Sequence, residues 1–148
     1  MTDALDKFVN ELQAEINEDV RRTYGKVVFQ RWQNPLYMGR MDLADGYARV
    51  TGSCGDTMEV FLRFENGRVK TASFLTDGCA SSTVCGSFAA ELAQGKSPGE
   101  IRKITGKTIL KVLGGLPEED RHCAFLAAKT LQQALDRYLK VTGKPPRT

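Results

Sequence analysis

Hydrophobic residues near the start of the chain recur at three- and four-residue steps, with acidic, amide and basic residues between them. This spacing predicts an amphipathic α-helix over residues 3–23. Such a stripe is more often part of a core than a partner site, and we expect it to dock on the body of the protein or on a partner. The apolar positions are Leu5, Phe8, Leu12, Ile16 and Val20.

Tyr24-Gly25 predicts a break after this helix, and the next apolar cluster predicts a second, short helix over residues 26–33. Asn34-Pro35 should end that helix, because the residue before a proline is pushed out of the helical region. The residues that follow, 36–45, are expected to form a loop.

Alternation then replaces the helical spacing and predicts strands over residues 46–52, 57–65 and 68–75. Asn66-Gly67 is a strong hairpin signal, because both turn residues need positive φ angles. With these two residues in the turn, Cys54 and Cys79 lie opposite each other at the open end of the hairpin. The same register predicts a core face formed by Met58, Val60, Leu62, Phe64, Val69 and Leu75, and an opposite face that includes Phe61, Ala72 and Phe74.

Helical patterns return after Cys79 and continue to about Val141. Ser81 or Ser82 could cap the first of these helices, which should reach Gln94. Two short helices, with Ser97 and Thr105 as their caps, and a long last helix follow. The predicted fold class is α+β, with a three-stranded antiparallel meander, helices packed on one face and an extra N-terminal helix. Residues 142–148, rich in Pro and Lys, are expected to form a flexible tail.

Composition narrows the function classes. The chain of 148 residues has a formal net charge of +3, without the dense basic stripe and stacking aromatics that nucleic-acid binding requires. It contains neither a secretory signal pattern nor an apolar run of membrane-spanning length, so we expect a cytoplasmic protein. In that compartment the four cysteines favour metal binding or thiol chemistry over structural disulfides.

The candidate chemistry lies in three short motifs. Cys54, Asp56 and Cys79 flank the hairpin, and His122-Cys123 lies near the start of the last helix. If that helix begins at the open end of the hairpin, all five side chains converge. Thiolates prefer zinc, copper(I) or iron–sulfur clusters, so these residues could hold one Zn²⁺ or a [2Fe–2S] unit.

Other interpretations stay open for several of these residues. Cys85 is expected to be a small buried hydrophobe, and Asp77 a turn residue. A cysteine-nucleophile enzyme with His122 as base and Asp56 as its orienter is an alternative. It explains one cysteine only, and neighbours on a helix diverge by about 100°. A plain interaction module is the blandest interpretation, in which none of the cysteines has a chemical role.

Taken together, the motifs resemble the scaffold proteins for iron–sulfur cluster assembly, the IscU family and the N-terminal domain of NifU. The resemblance covers residues 26–141 and leaves residues 1–25 as an N-terminal helical extension. The residues that carry it are Asn34-Pro35 with Gly39, Cys54-Gly55-Asp56, Asp77-Gly78-Cys79, Leu116-Pro117 and His122-Cys123.

The resemblance implies a carrier and not a turnover enzyme. Cys54, Cys79 and Cys123 would accept sulfur from a cysteine desulfurase and ligate a transient [2Fe–2S] cluster, with Asp56 and His122 nearby. The cluster would then pass to apo iron–sulfur proteins. The fourth ligand could be Asp56, His122 or a residue of a partner, and Zn²⁺ could occupy the site of the isolated protein.

Three departures from the family pattern matter. Two of them are the N-terminal helix over residues 3–23 and the additional thiol of Cys85. The family's Leu-Pro-Pro-Val-Lys segment, which a dedicated chaperone reads, is replaced here by Leu116-Pro117 followed by Glu118-Glu119-Asp120. This reversal of charge counts against chaperone docking of that kind. The related SufU group of zinc-dependent sulfur acceptors is the alternative, but it usually lacks the histidine and carries an insertion that is absent between Cys79 and Cys123.

Overall fold

The structure is a computed structural model that describes residues 2–53 and 55–141. Its first helix, α1, spans Thr2–Gln33 and is interrupted at Gly25, where φ is 87°. A side chain at that position would be strained, which is why the predicted break falls on a glycine. The predicted tail over residues 142–148 lies outside the described residues.

The two parts of α1 differ in what they contact. Val28, in the second part, is buried, and Arg31 reaches helix α2 (Ala80–Ala93), where it donates to Glu91 and to Ser87 over 2.8 and 3.0 Å. In the first part, the interpretation of the stripe as part of the core was wrong, whereas its docking on a partner stays a prediction; the side chain of Val20 lies outside the described part of the structure. The described apolar residues of the first part, Leu5, Phe8, Val9, Leu12 and Ile16, are 43–62% exposed.

A three-stranded antiparallel sheet in the order β1-β2-β3 follows, as predicted. Strand β1 spans Gly46–Thr51, β2 spans Thr57–Glu65 and β3 spans Arg68–Thr76. The loop before β1 covers part of the outer edge of β3. There, Gly39 donates its N–H to the Phe74 carbonyl over 2.9 Å, and Phe74 donates to the Tyr37 carbonyl over 3.0 Å.

The predicted hairpin register holds only beside the turn. Phe64 pairs with Val69, but Arg63 pairs with Thr71, so Lys70 is an extra residue in a β-bulge. A bulge exchanges the two faces of the strand beyond it, so the predicted places of Ala72, Phe74 and Leu75 were wrong. Ala72 and Phe74 are fully buried in the core, whereas Leu75 is partly exposed on the other face.

The core lies between the sheet and two helices, α2 and α5 (His122–Val141). Helix α5 packs against β1 and β2, and α2 packs against β3. Two short helices connect them, α3 over Pro98–Ile101 and α4 over Gly106–Leu113, each with the predicted cap at Ser97 or Thr105. A 3-10 turn over Glu118–Asp120 precedes α5.

This architecture confirms the predicted α+β class, with helices against one face of the sheet and an additional N-terminal helix. Both long helices of the core begin at the open end of the hairpin, where β2 starts and β3 finishes. None of the helices in the described part of the chain is long and apolar enough to cross a membrane.

Candidate metal centre

Hydrogen bonds among its own residues stabilise the open end of the hairpin. Asp77 accepts from the Thr57 N–H through its side chain over 2.8 Å, which is the turn role predicted for it. Thr76 donates its hydroxyl to the Thr57 carbonyl over 2.7 Å. In the connection between β1 and β2, Gly52 donates its N–H to the Asp56 carbonyl over 2.8 Å. These bonds fix the chain directions on either side of Asp56 and Cys79.

Asp56, His122 and Cys123 meet at this end of the sheet. One carboxylate oxygen, one ring nitrogen and the sulfur all lie within 4.8 Å of one another. Tetrahedral zinc ligands at ordinary bond lengths are roughly 3.3–3.8 Å apart, so the most widely separated of these pairs would have to close by at most about 1 to 1.5 Å around an ion. The donor set of a thiol, an imidazole and a carboxylate suits zinc or iron.

His122 and Cys123 lie closer to each other than their adjacency on a helix predicted. Nε2 of His122 is 3.6 Å from Sγ of Cys123. The expected divergence of about 100° applies to the directions in which side chains leave a helix. His122 is the first residue of α5, and its long side chain extends far enough to reach its neighbour's sulfur. That argument against a cysteine–histidine pair was therefore wrong.

Cys79 is the N-cap of α2 and its thiol is exposed. Its backbone carbonyl accepts from the N–H of Thr83 over 3.1 Å, so the cap lies two residues before Ser81 and three before Ser82. Its sulfur lies 4.0 Å from Oγ of Ser82. The predicted serine caps were wrong, and the helix begins with the cysteine itself.

Cys54 lies outside the described residues. The hairpin register that placed it directly opposite Cys79 was wrong beyond Arg63, where the bulge shifts the pairing by one residue. That Cys54 lies near Cys79 stays a prediction. The glycines on either side of it are described. Gly55 has a φ of 92°, a conformation that favours glycine, and it donates to the Gly52 carbonyl over 3.0 Å. This hydrogen bond brings the backbone of Gly55 close to that of Gly52.

Gly78 lies where a side chain would collide with both Asp56 and Ser82. A Cβ atom at this position would lie 2.7 Å from Oδ2 of Asp56 and 2.7 Å from Oγ of Ser82. A Cβ atom does not approach oxygen atoms this closely, so any side chain here would displace both groups. Glycine is required at residue 78 for space and not for an unusual φ angle.

Ser82 is the site residue that the sequence prediction missed. Its hydroxyl is buried and lies 2.7 Å from Oδ2 of Asp56 and 3.4 Å from Sγ of Cys123. The signal that could have found it is its spacing, because residues three apart on a helix share a face, and Ser82 follows Cys79 by three. Ser82 was predicted to be a helix cap, and a cap would have directed its hydroxyl to the backbone.

Cys85 is buried in the core, as expected for a packing residue. Burial raises the pKa of its thiol, with smaller contributions from Cys123, Cys79 and Asp120. A thiol that resists ionisation is a poor nucleophile and a poor metal ligand. No disulfide joins the cysteines of the described ranges.

Comparison with known proteins gives a consistent set of similarities. A family model described as the NifU-like N-terminal domain matches residues 23–145. The chain is 38% identical over 122 residues to the iron-sulfur cluster assembly scaffold protein IscU 1 of Archaeoglobus fulgidus, which covers 82% of this chain and 80% of the relative.

Solved structures share the fold. The N-terminal part of a nitrogen-fixing NifU-like protein from Brucella abortus superposes with a TM-score of 0.65 at 21% identity, over 82% of this chain and 97% of that chain. The SUF-system protein SufU of Fervidobacterium islandicum AW-1 superposes with a TM-score of 0.61 at 20% identity, over 78% of this chain and 98% of that chain.

Proposed function

The chain belongs to the NifU-like N-terminal domain family, and we propose that it is a scaffold for iron–sulfur cluster assembly. On this proposal a transient [2Fe–2S] cluster is built on the protein and is then transferred to an apo-protein. The observation that carries the proposal is the convergence of Asp56, His122 and Cys123 within 4.8 Å, with the Cys79 thiol 4.0 Å from Oγ of Ser82.

We assign the cluster, as cargo, to Cys54, Cys79 and Cys123. Asp56 is the proposed exchangeable ligand, since a carboxylate binds a soft metal more weakly than a thiolate and suits a site that must release its cluster. His122 is a second candidate for the fourth position, because its ring nitrogen is 3.6 Å from the Cys123 sulfur. The same residues could hold Zn²⁺ when iron and sulfide are lacking.

The exposures of the thiols support a carrier more than an enzyme with a cysteine nucleophile. Cys123, which has the neighbouring histidine, is 0% exposed, so a substrate could not reach its sulfur in this arrangement. Cys79 is exposed and lies at the rim of the site. A sulfur atom delivered by another protein would reach Cys79 before it reached Cys123.

The proposed partners are a cysteine desulfurase, which supplies sulfur, and apo iron–sulfur proteins, which accept the cluster. Unmodified thiols need a reducing compartment, which agrees with the expected cytoplasmic location. Chaperone docking through the segment after Leu116-Pro117 is not part of the proposal, because the exposed Glu118 and Glu119 carry the opposite charge to the family's segment.

Anaerobic reconstitution tests the proposal directly. The protein is incubated with ferric iron, sulfide and a thiol, and the charge-transfer spectrum of an oxidised [2Fe–2S] cluster is expected in the visible range. Iron and sulfide are quantified in the same sample, together with zinc. A Cys79→Ala variant should not form the cluster, whereas Cys85→Ser should form it wherever the variant remains folded. An equal yield of the same cluster in Cys79→Ala would contradict the proposal.

Transfer is tested separately with Asp56→Ala. If Asp56 is the labile ligand, its loss should slow the transfer of a preformed cluster to an apo-ferredoxin, followed by circular dichroism in the visible range. Unchanged transfer kinetics would remove Asp56 from that role and leave the scaffold proposal standing. Protein isolated anaerobically with zinc but no iron or sulfide, and unable to form a cluster, would instead favour a zinc-dependent sulfur acceptor.

A further inference from the structure

Ser82 lies at the centre of the candidate site. It is fully buried on the first turns of α2, one turn beyond Cys79. Its Oγ is 2.7 Å from Oδ2 of Asp56, 3.4 Å from Sγ of Cys123 and 4.0 Å from Sγ of Cys79. This single hydroxyl therefore contacts groups from three separate elements.

The Ser82 hydroxyl is directed away from the backbone of its own helix. Serine and threonine hydroxyls within helices commonly donate to a backbone carbonyl one turn earlier. Thr83 does so to Cys79 over 3.2 Å, and Thr130 does so to Leu126 over 2.7 Å. Ser82 instead donates to a carboxylate that belongs to the loop before β2. Its hydroxyl thus links elements and does not merely satisfy its own helix.

We propose that Ser82 is a positioning residue that holds the Asp56 carboxylate in place beside Cys123 and Cys79 for metal binding. This inference rests on the proposed function, because it concerns the same site. Ser82 acts through Asp56 and is not itself assigned as a ligand. The shape around it supports the role, since only a glycine at residue 78 leaves room for the Asp56 and Ser82 side chains to meet.

The chemistry of the hydrogen bond explains how this works. A hydroxyl has one proton to donate, and the carboxylate at 2.7 Å is its nearest acceptor. A carboxylate has two oxygens and about four acceptor positions, so one bond from Ser82 leaves capacity for an ion. Fixing the rotation of a ligating carboxylate reduces the ordering that binding requires, and partners of this kind typically change metal affinity by roughly 10–100-fold.

Zn²⁺ alone is the probe for the test, with the full chain and a competing chromophoric chelator. Ser82→Ala should weaken Zn²⁺ binding by roughly 10–100-fold. Ser81→Ala is the matched control, because Ser81 is the preceding residue, is equally buried, and its hydroxyl has no hydrogen-bond partner in the described part of the chain. Ser81→Ala should bind Zn²⁺ as the unmodified protein does.

A second pair of variants separates the hydroxyl from the packing. Ser82→Thr and Ser82→Val have nearly the same shape and differ in the hydroxyl. Ser82→Thr should bind Zn²⁺ more tightly than Ser82→Val by roughly the factor lost in Ser82→Ala. Because both variants fill the site equally, this comparison stands even where Ser82→Ala disturbs the fold. Equal affinities of the Thr and Val variants would overturn the proposal.

A double-mutant cycle with Asp56→Ala tests whether Ser82 acts through the carboxylate. In the Asp56→Ala background, Ser82→Ala should have little further effect on Zn²⁺ affinity, since the group it positions is gone. Fully additive losses would assign Ser82 a general structural role and overturn the proposal. The cobalt-substituted protein gives a second readout, because a displaced ligand alters the visible absorption of Co²⁺.

Failure of the positioning role of Ser82 can be distinguished from failure of the scaffold proposal. Zn²⁺ and Co²⁺ binding involve neither sulfide nor cluster transfer. If Ser82→Ala weakens Zn²⁺ binding while the unmodified protein forms no cluster with iron and sulfide, the positioning role stands and the scaffold function fails. If the cluster forms and Ser82→Ala binds Zn²⁺ normally, the scaffold function stands and the positioning role fails.

Discussion

Cys79 and Cys123 both stand at the start of a long core helix, but their surroundings differ. Cys79 is the N-cap of α2 and is exposed, whereas Cys123 is the second residue of α5 and is 0% exposed. The site therefore has an outer thiol that another protein can reach and an inner thiol that the fold holds in place. A scaffold needs both properties, since it must receive sulfur from outside and retain a cluster.

The contrast has a physical cause in the order of the elements. Helix α2 starts directly after β3, so its first residue lies at the rim of the sheet. Helix α5 packs against β1, β2 and α2, and Cys123 lies on the side of its first turn that is buried in the core. Ser82, on α2, contacts both sulfurs and so connects the outer and inner parts.

The largest expected difference between the two thiols is in their reactivity. Alkylation of the metal-free protein by iodoacetamide should be at least about 100-fold faster at Cys79 than at Cys123, because reaction at a buried thiol requires local opening. Quenched time points analysed by mass spectrometry give the rate at each residue. Cys85, also 0% exposed, is the internal control and should react slowly. Equal rates at Cys79 and Cys123 would show that the inner thiol is not enclosed in solution.

A side chain at residue 78 should disrupt the contact between Asp56 and Ser82, which lies between the outer thiol of Cys79 and the inner thiol of Cys123. A Cβ there would overlap Asp56 and Ser82, so Gly78→Ala should weaken Zn²⁺ binding by roughly 10–100-fold. The measurement is competition with a chromophoric chelator. Gly99→Ala is the matched control, because a Cβ at residue 99 meets no atom within 4 Å. Tight Zn²⁺ binding by Gly78→Ala would mean that the contact between Asp56 and Ser82 is unimportant.

Replacing each of the two cysteines by alanine should change the free energy of unfolding by different amounts, and this difference is smaller than the other two effects. Cys123→Ala removes a fully buried sulfur and should lower the free energy of unfolding by about 1 kcal/mol. Cys79→Ala removes an exposed one and should change it by less than about 0.5 kcal/mol. Urea denaturation of the metal-free variants measures both values. Similar losses for the two variants would indicate that Cys79 is packed more closely than its exposure suggests.

Much of the fold could be predicted because its signals are local. The turn at Asn66-Gly67 and the caps at Ser97 and Thr105 each depend on residues within one turn, and all three were found where they were expected. The bulge at Lys70 was missed, although two successive exposed residues, Lys70 and Thr71, interrupt the alternation of β3. A single extra residue then reversed the predicted faces for the rest of the strand.

The candidate site was only partly predicted, because only some of its residues have a signal in the local sequence. Asp56, Cys79 and His122-Cys123 stand out by residue type, and family motifs drew attention to them. Ser82 has no such signal, because a serine within a helix is common and its hydroxyl is normally directed to the backbone. Only the packing of α2 against the Asp56 loop and α5 gives that hydroxyl its contacts, and such packing depends on residues far apart in the chain.

The N-terminal stripe gives the smallest expected effect. Helices α1 and α5 both carry apolar residues at helical spacing, yet Leu12 is 46% exposed, whereas Leu131 on α5 is fully buried. Periodicity shows that a helix has an apolar face and does not show what covers that face. Leu12→Ala should therefore change the free energy of unfolding by less than about 0.5 kcal/mol, measured with urea beside Cys123→Ala as the reference. A loss equal to or larger than that of Cys123→Ala would mean that the stripe is covered in solution, and dilution of the protein would then show whether a second copy covers it.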